Sequence, residues 1–158
     1  MIVVSDTSPI LYLLLLDQLE LLPRLYDQVI IPQIVQTEMT ATEAPPKLRQ
    51  WIAAPPVWLT VSAITFEPDA VLQRLNPGEQ AAIVLAEQLK ADLLLIDEKA
   101  GRQAAIQRGL KITGVLGILD EAAMLNLIDL PSAIVQLQQT NFRVSPTLIQ
   151  TLLAKYCT

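Results

Sequence analysis

Apolar residues in this chain fall into two kinds of run. Short unbroken ones, Ile2-Val3-Val4, Val29-Ile30-Ile31 and Leu93-Leu94-Leu95-Ile96, are too brief for helices and suit strands buried on both faces. Longer ones recur every three or four positions, the spacing of a helix with one apolar stripe. Residues 2–5 therefore read as a strand. A helix begins near Ser8-Pro9, a hydroxyl cap followed by proline in the first turn, and runs to about Leu25. Residues 29–31 make a second strand, and Pro32 opens a helix carrying Ile34, Val35, Glu38 and Met39. Ala44-Pro45-Pro46 and Ala54-Pro55-Pro56 bracket a short helix around residues 48–52, after which residues 57–61 alternate like a strand.

Asn76-Pro77-Gly78-Glu79 combines a side-chain cap, proline at the first helical position and glutamate at the third, so a helix starts there and reaches about Lys90. Residues 93–96 form an apolar strand, residues 98–108 a helix closed by Gly109, and residues 111–113 a short strand. Gly114 and Gly117 lead into further helix. Amphipathic helices follow at about 131–140 and 146–155, the second capped by Ser145-Pro146. With no repeat, linker or low-complexity tract, residues 1–158 read as a single α/β domain with a mostly parallel central sheet. Ligands of such sheets gather beyond the carboxyl ends of the strands, near the switch in strand order.

Two acids would emerge there. Asp6 follows the first strand and Asp97 follows the run at 93–96. Glu38 lies on the face that Ile34 and Val35 would bury, and Glu79 opens a nearly all-apolar helix. An unpaired buried carboxylate is costly, and its usual remedies are a cationic side chain, protonation or a metal ion. Each acid has its own alternative: Asp6 bonding turn amides, Asp97 capping the helix at 98, Glu79 completing a capping box, Glu38 pairing with a lysine or arginine. Four separate explanations are less economical than one shared cation.

Composition narrows the chemistry. The chain has no histidine, which excludes Ser-His-Asp and Cys-His catalysis and histidine zinc sites. Its only cysteine, Cys157, is next to the C-terminus and reads as a bystander in a tail, leaving no internal disulfide. Catalysis is left to carboxylates, hydroxyls, lysine or an oxygen-ligated cation such as Mg²⁺ or Mn²⁺. The net charge of -5 argues against broad affinity for nucleic acid. Lys99, Arg102, Arg108 and Lys111 cluster after Asp97 and form either a local basic rim or an ordinary solvated face. Trp51 and Trp58 flank a Pro-Pro turn and either stack bases or cover a core edge, the second being the more common use. The leucine-rich segment 10–16 is core or a dimer surface. No apolar run reaches the roughly 18 residues of a membrane span, and no secretory signal opens the chain, so a cytoplasmic address is expected.

The segments Asp6-Thr7-Ser8-Pro9, Ile31-Pro32 through Glu38, Gly78-Glu79-Gln80-Ala81-Ala82-Ile83-Val84-Leu85-Ala86 and Leu94-Leu95-Ile96-Asp97-Glu98, with Arg102 and Gly114-Val115-Leu116-Gly117, occur in an order that resembles the PIN-domain family, in its compact prokaryotic VapC-toxin-like branch. The resemblance implies a three-layer PIN-like domain and a ribonuclease dependent on Mg²⁺ or Mn²⁺, with Asp6, Glu38, Glu79 and Asp97 as its acidic cluster. It places Thr7 and Ser8 beside the first acid, where their hydroxyls either hold a ligand or a phosphate oxygen or cap the helix, the cap being the more common use, and leaves Glu98 as the only candidate for a further metal-site acid after Asp97. Lys99 and Arg102 are the candidate phosphate contacts. A toxin role further implies a cognate antitoxin over the pocket and a homodimer. Two other classes compete: a phosphoacceptor or phosphatase built on an Asp6 pocket, although Ser8 stands where such a phosphatase needs a second aspartate, and a noncatalytic PIN-like interaction protein.

Overall fold

The computed structural model describes residues 1–156; Cys157 lies outside them. Parallel strands β1 (Val3–Ser5), β2 (Val29–Pro32), β3 (Leu59–Ser62), β4 (Leu93–Leu95) and β5 (Ile112–Thr113) form a five-stranded sheet in the order β3-β2-β1-β4-β5. The helices in chain order are α1 (Thr7–Leu15), α2 (Leu21–Tyr26), α3 (Gln33–Thr40), α4 (Pro46–Ala53), α5 (Pro77–Leu89), α6 (Lys99–Gln107), α7 (Val115–Met124), α8 (Leu130–Gln138) and α9 (Pro146–Ala154). A 3-10 turn at Leu72–Arg74, absent from the expected elements, precedes α5.

Strand alternation divides the core between the two faces of the sheet. Val3, Val29, Ile31 and Leu95 pack with residues of α1 to α4 and α7 to α9, whereas Val4, Leu94 and Ile96 pack with those of α5 and α6. Helices therefore cover both faces, which is why the strands lack polar alternation and why the expected parallel α/β architecture holds. The strand order reverses between β1 and β4. These neighbours are in register from Val3 opposite Leu93 to Ser5 opposite Leu95, and the Asp6 N–H extends the ladder to the Leu95 carbonyl at 3.0 Å. Asp6 and Asp97 thus leave adjacent strand ends at the topological switch.

Two expectations need correction. The helix expected to run to about Leu25 is broken into α1 and α2 by Asp17, a turn residue with φ 55°. Leu16, Leu19, Leu21 and Leu22 stay buried across that break, so the apolar pattern reads as continuous although the backbone is not. The first helix also starts at Thr7 with Asp6 at its N-cap, placing Ser8 inside the first turn rather than at the cap. Trp51 and Trp58 follow the more common of their two readings and cover the core: their rings stand 6.0 Å apart against the α1-side core, and Trp58 directly precedes β3. The segment 10–16 likewise buries Ile10, Leu13, Leu14 and Leu16. Among the described residues, no helix is long and apolar enough to cross a membrane.

Candidate active site

Asp6, 3% exposed, sits at the N-cap of α1 without a side-chain capping bond. Burial pushes its carboxyl up to about 7; the Thr7 backbone amide opposes this, and the negative fields of Glu79, Glu38 and Asp97 reinforce it. Asp97 is raised to about 6, chiefly by burial, against the pull of the Val115 amide and Arg102 and with a further push from Glu98. Glu79 is raised by burial, partly offset by the Asn76 amide, with Glu98 and Glu38 adding to the shift. These mutual influences tie four separate chain segments to one negatively charged rim.

Each acid is held in place by a specific contact. Glu79 completes the expected capping box: its N–H donates to Asn76 Oδ1 at 2.8 Å, and its Oε1 accepts from the Asn76 N–H at 3.1 Å. Capping thus occupies one oxygen and leaves Oε2 buried without a partner. Asp97 does not cap the next helix. The extended chain continues through Ile96, whose N–H donates to the Thr113 carbonyl at 2.8 Å, and this carries Asp97 to the start of α7, where Oδ1 accepts from the Val115 N–H at 2.9 Å. Its Oδ2 is also buried without a partner, and Glu98 takes the N-cap of α6 instead. Half-buried Glu38 accepts the Thr7 hydroxyl at 2.9 Å, a neutral partner and not the lysine or arginine that was its alternative explanation.

This donor set fits a hard divalent cation. All its atoms are carboxylate oxygens, and two of them lack a hydrogen-bond donor where burial makes that costly. Among the described residues, no three acids close into a ready-made metal cage, although the charges of Glu79, Glu38 and Asp97 all act on Asp6.

Two glycines let the acids approach. A Cβ on Gly78 would overlap the Glu38 carboxylate, which lies against the first turn of α5, and a Cβ on Gly114 would overlap Asp97 Oδ1 and stand 3.0 Å from an Arg102 nitrogen. Gly114 has φ -130°, a conformation open to alanine, so the contact alone sets the requirement. Gly114→Ala is expected to dislodge Asp97 from the Val115 N–H and lower metal affinity about 10- to 100-fold, the effect of losing a group that orients a ligand. Titrating Mn²⁺ calorimetrically into a variant with a wild-type circular dichroism spectrum checks this; unchanged affinity would show that the close approach at Gly114 does not set the position of Asp97 that binding requires.

A family model described as "DUF3368: PIN domain" matches residues 2–157. The chain belongs to this PIN-domain family. PIN domains are typically nucleases that use divalent metals. A PilT N-terminus domain protein from the hyperthermophilic archaeon Sulfolobus solfataricus P2 has a solved structure similar in fold over 92% of this chain and 100% of its own, with a TM-score of 0.54 and 18% sequence identity. No curated protein matches.

Around the acids of this PIN domain, the four basic residues after Asp97 divide between the two readings, rim and solvated face. Lys99 and Arg102 flank Asp97, Arg102 donating to the Ile96 carbonyl at 3.0 Å. Arg108 instead pairs with Asp69 and Glu87, both at 2.8 Å, because α6 carries it away from the strand ends, and Lys111 precedes β5 at the far edge. Ser8 and exposed Glu98 line a hollow beside Asp97. Asn141, Phe142 and Arg143, from the α8–α9 loop, join them there. Nothing in the sequence marks those three residues, since their position depends on how α8 and α9 dock.

Proposed function

We propose that this PIN domain is an endoribonuclease that hydrolyses RNA phosphodiester bonds with Mg²⁺ or Mn²⁺. The observation that supports it most is the meeting of Asp6, Glu38, Glu79 and Asp97 at one rim with two buried carboxylate oxygens unpartnered. Asp6 and Asp97 would hold the ion directly, Glu38 and Glu79 directly or through water, and Glu98 stands at the exposed margin as a further acid. When bound, the cation activates water and offsets charge on the phosphate. The chain's own contribution is positioning. The Val115 amide orients Asp97, the Thr7 hydroxyl orients Glu38, and the α5 cap orients Glu79. Arg102, tethered to Ile96, keeps a positive charge beside Asp97 and the incoming phosphate. A phosphoacceptor role for Asp6 has less support, because Ser8 stands two residues on, where a phosphatase of that kind needs a second aspartate.

Incubation with a panel of transfer and structured RNAs is expected to give cleavage that requires Mg²⁺ or Mn²⁺ and stops with EDTA. Asp97→Asn should lower it about 100-fold or more while the circular dichroism spectrum is kept. A titrated wild-type preparation that cleaves nothing on the panel with either ion would overturn the proposal. On the sequence resemblance alone, the reading extends to a homodimeric toxin covered by an antitoxin. Expression of the wild-type chain would then arrest growth and expression of Asp97→Asn would not; no arrest by the wild type would sink this extension.

A further inference from the structure

Arg108 lies away from the acidic rim, yet it holds a segment that ends there. The nine residues of α6 put it about 14 Å from the start of that helix. Its guanidinium closes on two acids: Nη1 donates to Asp69 Oδ2 at 2.8 Å, and Nε donates to Glu87 Oε1 at 2.9 Å. Asp69 belongs to the irregular segment 63–71 between β3 and the 3-10 turn, and Glu87 to the last turn of α5. We propose that Arg108 is a positioning residue for Glu79: by holding Asp69 it fastens residues 68–75 as a strap, and the strap fixes Asn76, whose backbone N–H orients the Glu79 carboxylate. The consequence for metal binding rests on the reading of the acids as a cation site, whereas the link from Arg108 to Glu79 does not.

A continuous run of bonds joins the two residues. Asp69 Oδ1 accepts from the Val71 and Leu72 amides at 3.1 and 2.9 Å, and the Asp69 carbonyl accepts from the Gln73 amide at 3.0 Å. The Leu75 N–H donates to the Leu72 carbonyl at 2.9 Å, and Gln80 Nε2 of α5 donates to the Leu75 carbonyl at 2.8 Å. Asn76 comes next, and its N–H donates to Glu79 Oε1 at 3.1 Å. The donor that orients Glu79 therefore belongs to the end of the strap.

Few other contacts fasten this strap. Leu72 and Leu75 are buried with residues of α5 and α6, but Glu67, Asp69, Ala70 and Val71 are exposed. A hollow of about 220 Å³ is bordered by Arg74 and Leu75 of the strap and by Ala100, Gln103 and Gln107 of α6, so the strap does not pack flush on that helix. Arg108 supplies the missing hold, and a guanidinium suits it because its planar fork grips two carboxylates in a fixed geometry. The other oxygen of Glu79 lies against α6, where a Cβ on Gly101 would stand 3.2 Å from Oε2. A strap that shifts along α6 moves the donor to Oε1 and leaves the wall beside Oε2 in place, which turns the carboxylate.

Amide hydrogen exchange followed by nuclear magnetic resonance on the metal-free protein reads the cap without cleavage. Arg108→Gln is expected to speed exchange at the Asn76 and Glu79 amides about fivefold, the loss suited to a part-buried ion pair, and to leave the amides of residues 82–86 in the same helix unchanged. Asp69→Asn should act in the same direction, and the double variant should exchange no faster than Arg108→Gln, because both remove one contact. Lys155→Ala breaks the ion pair with Asp120 and serves as the control for a general loss of stability; it should leave both cap amides unchanged. Mn²⁺ affinity measured calorimetrically should fall about fivefold in Arg108→Gln and stay at the wild-type value in Lys155→Ala. Wild-type exchange at the cap in Arg108→Gln, or equal acceleration along all of α5, would overturn the proposal. Faster exchange at the cap with unchanged Mn²⁺ affinity would also overturn it, since Arg108 would then only stabilise a helix end. A wild-type protein that binds no Mn²⁺, with the cap responding as expected, would uphold the link from Arg108 to Glu79 and refute the cation site.

Discussion

Asp6→Asn is expected to raise the melting temperature of the metal-free protein while abolishing RNA cleavage. The carboxyl is 3% exposed and faces three other acids, and burial has moved its pKa up to about 7. At pH 8 the folded protein must therefore hold an ionised group in a setting that disfavours it. Asparagine has nearly the same shape and no charge. Removing the charge should stabilise the fold by on the order of 1–2 kcal/mol, or several degrees in a domain of this size. Activity should move the other way, because the carboxylate oxygen most central to the cluster is gone. A loss of several kcal/mol of transition-state stabilisation corresponds to a fall of about a thousandfold or more. Differential scanning fluorimetry and an RNA cleavage assay on one preparation check both halves. A lower melting temperature would mean that Asp6 is a structural acid, and retained cleavage would remove it from the catalytic cluster.

Stability should depend on pH in opposite senses with and without a divalent ion. Asp6 and Asp97 keep their protons to about 7 and about 6 when folded, against 3.8 for an ordinary aspartate. Between those values the folded state binds more protons than the unfolded one, so the contribution of these groups to stability is greatest near pH 4 and is lost as pH rises to about 7. The metal-free protein should thus melt at a lower temperature at pH 8 than at pH 5. Mn²⁺ binds the ionised carboxylates, so it should raise the melting temperature strongly at pH 8 and little at pH 5. Melting curves across this range with EDTA or Mn²⁺ give the answer. A stabilisation by Mn²⁺ that is the same at both pH values would mean that these two acids do not bind the ion.

The candidate site was legible where a local rule was broken. Asp6 and Asp97 stand out because acids follow apolar strands, and Glu79 because an acid introduces a buried helix. A local explanation does not exclude the proposed shared role: Glu79 caps α5 with one oxygen and leaves the other buried without a partner. Asp97 took a partner that no local reading supplies, since the Val115 amide reaches it only once β4 and β5 are paired. Sequence leaves the basic cluster open between rim and solvated face for a related reason. Lys99, Arg102, Arg108 and Lys111 are close in sequence, but a helix of two to three turns carries the later ones to the opposite edge.

Periodicity and turn chemistry are short-range, and they settled the order of strands and helices, the two-sided burial of the sheet and the presence of acids at strand ends. Leu16 to Leu22 marks the limit of such patterns, because burial continues there through a break that only the φ of Asp17 creates. Long-range packing decided the rest. Strand order brought Asp6 beside Asp97, close approach at Gly78 and Gly114 seated Glu38 and Asp97, and the docking of α8 and α9 delivered Phe142 and Arg143 to the same rim. The physical reason is that hydrogen bonds and apolar stripes are written into neighbouring residues, whereas the surroundings of a buried charge are set by whichever distant segments the core brings against it.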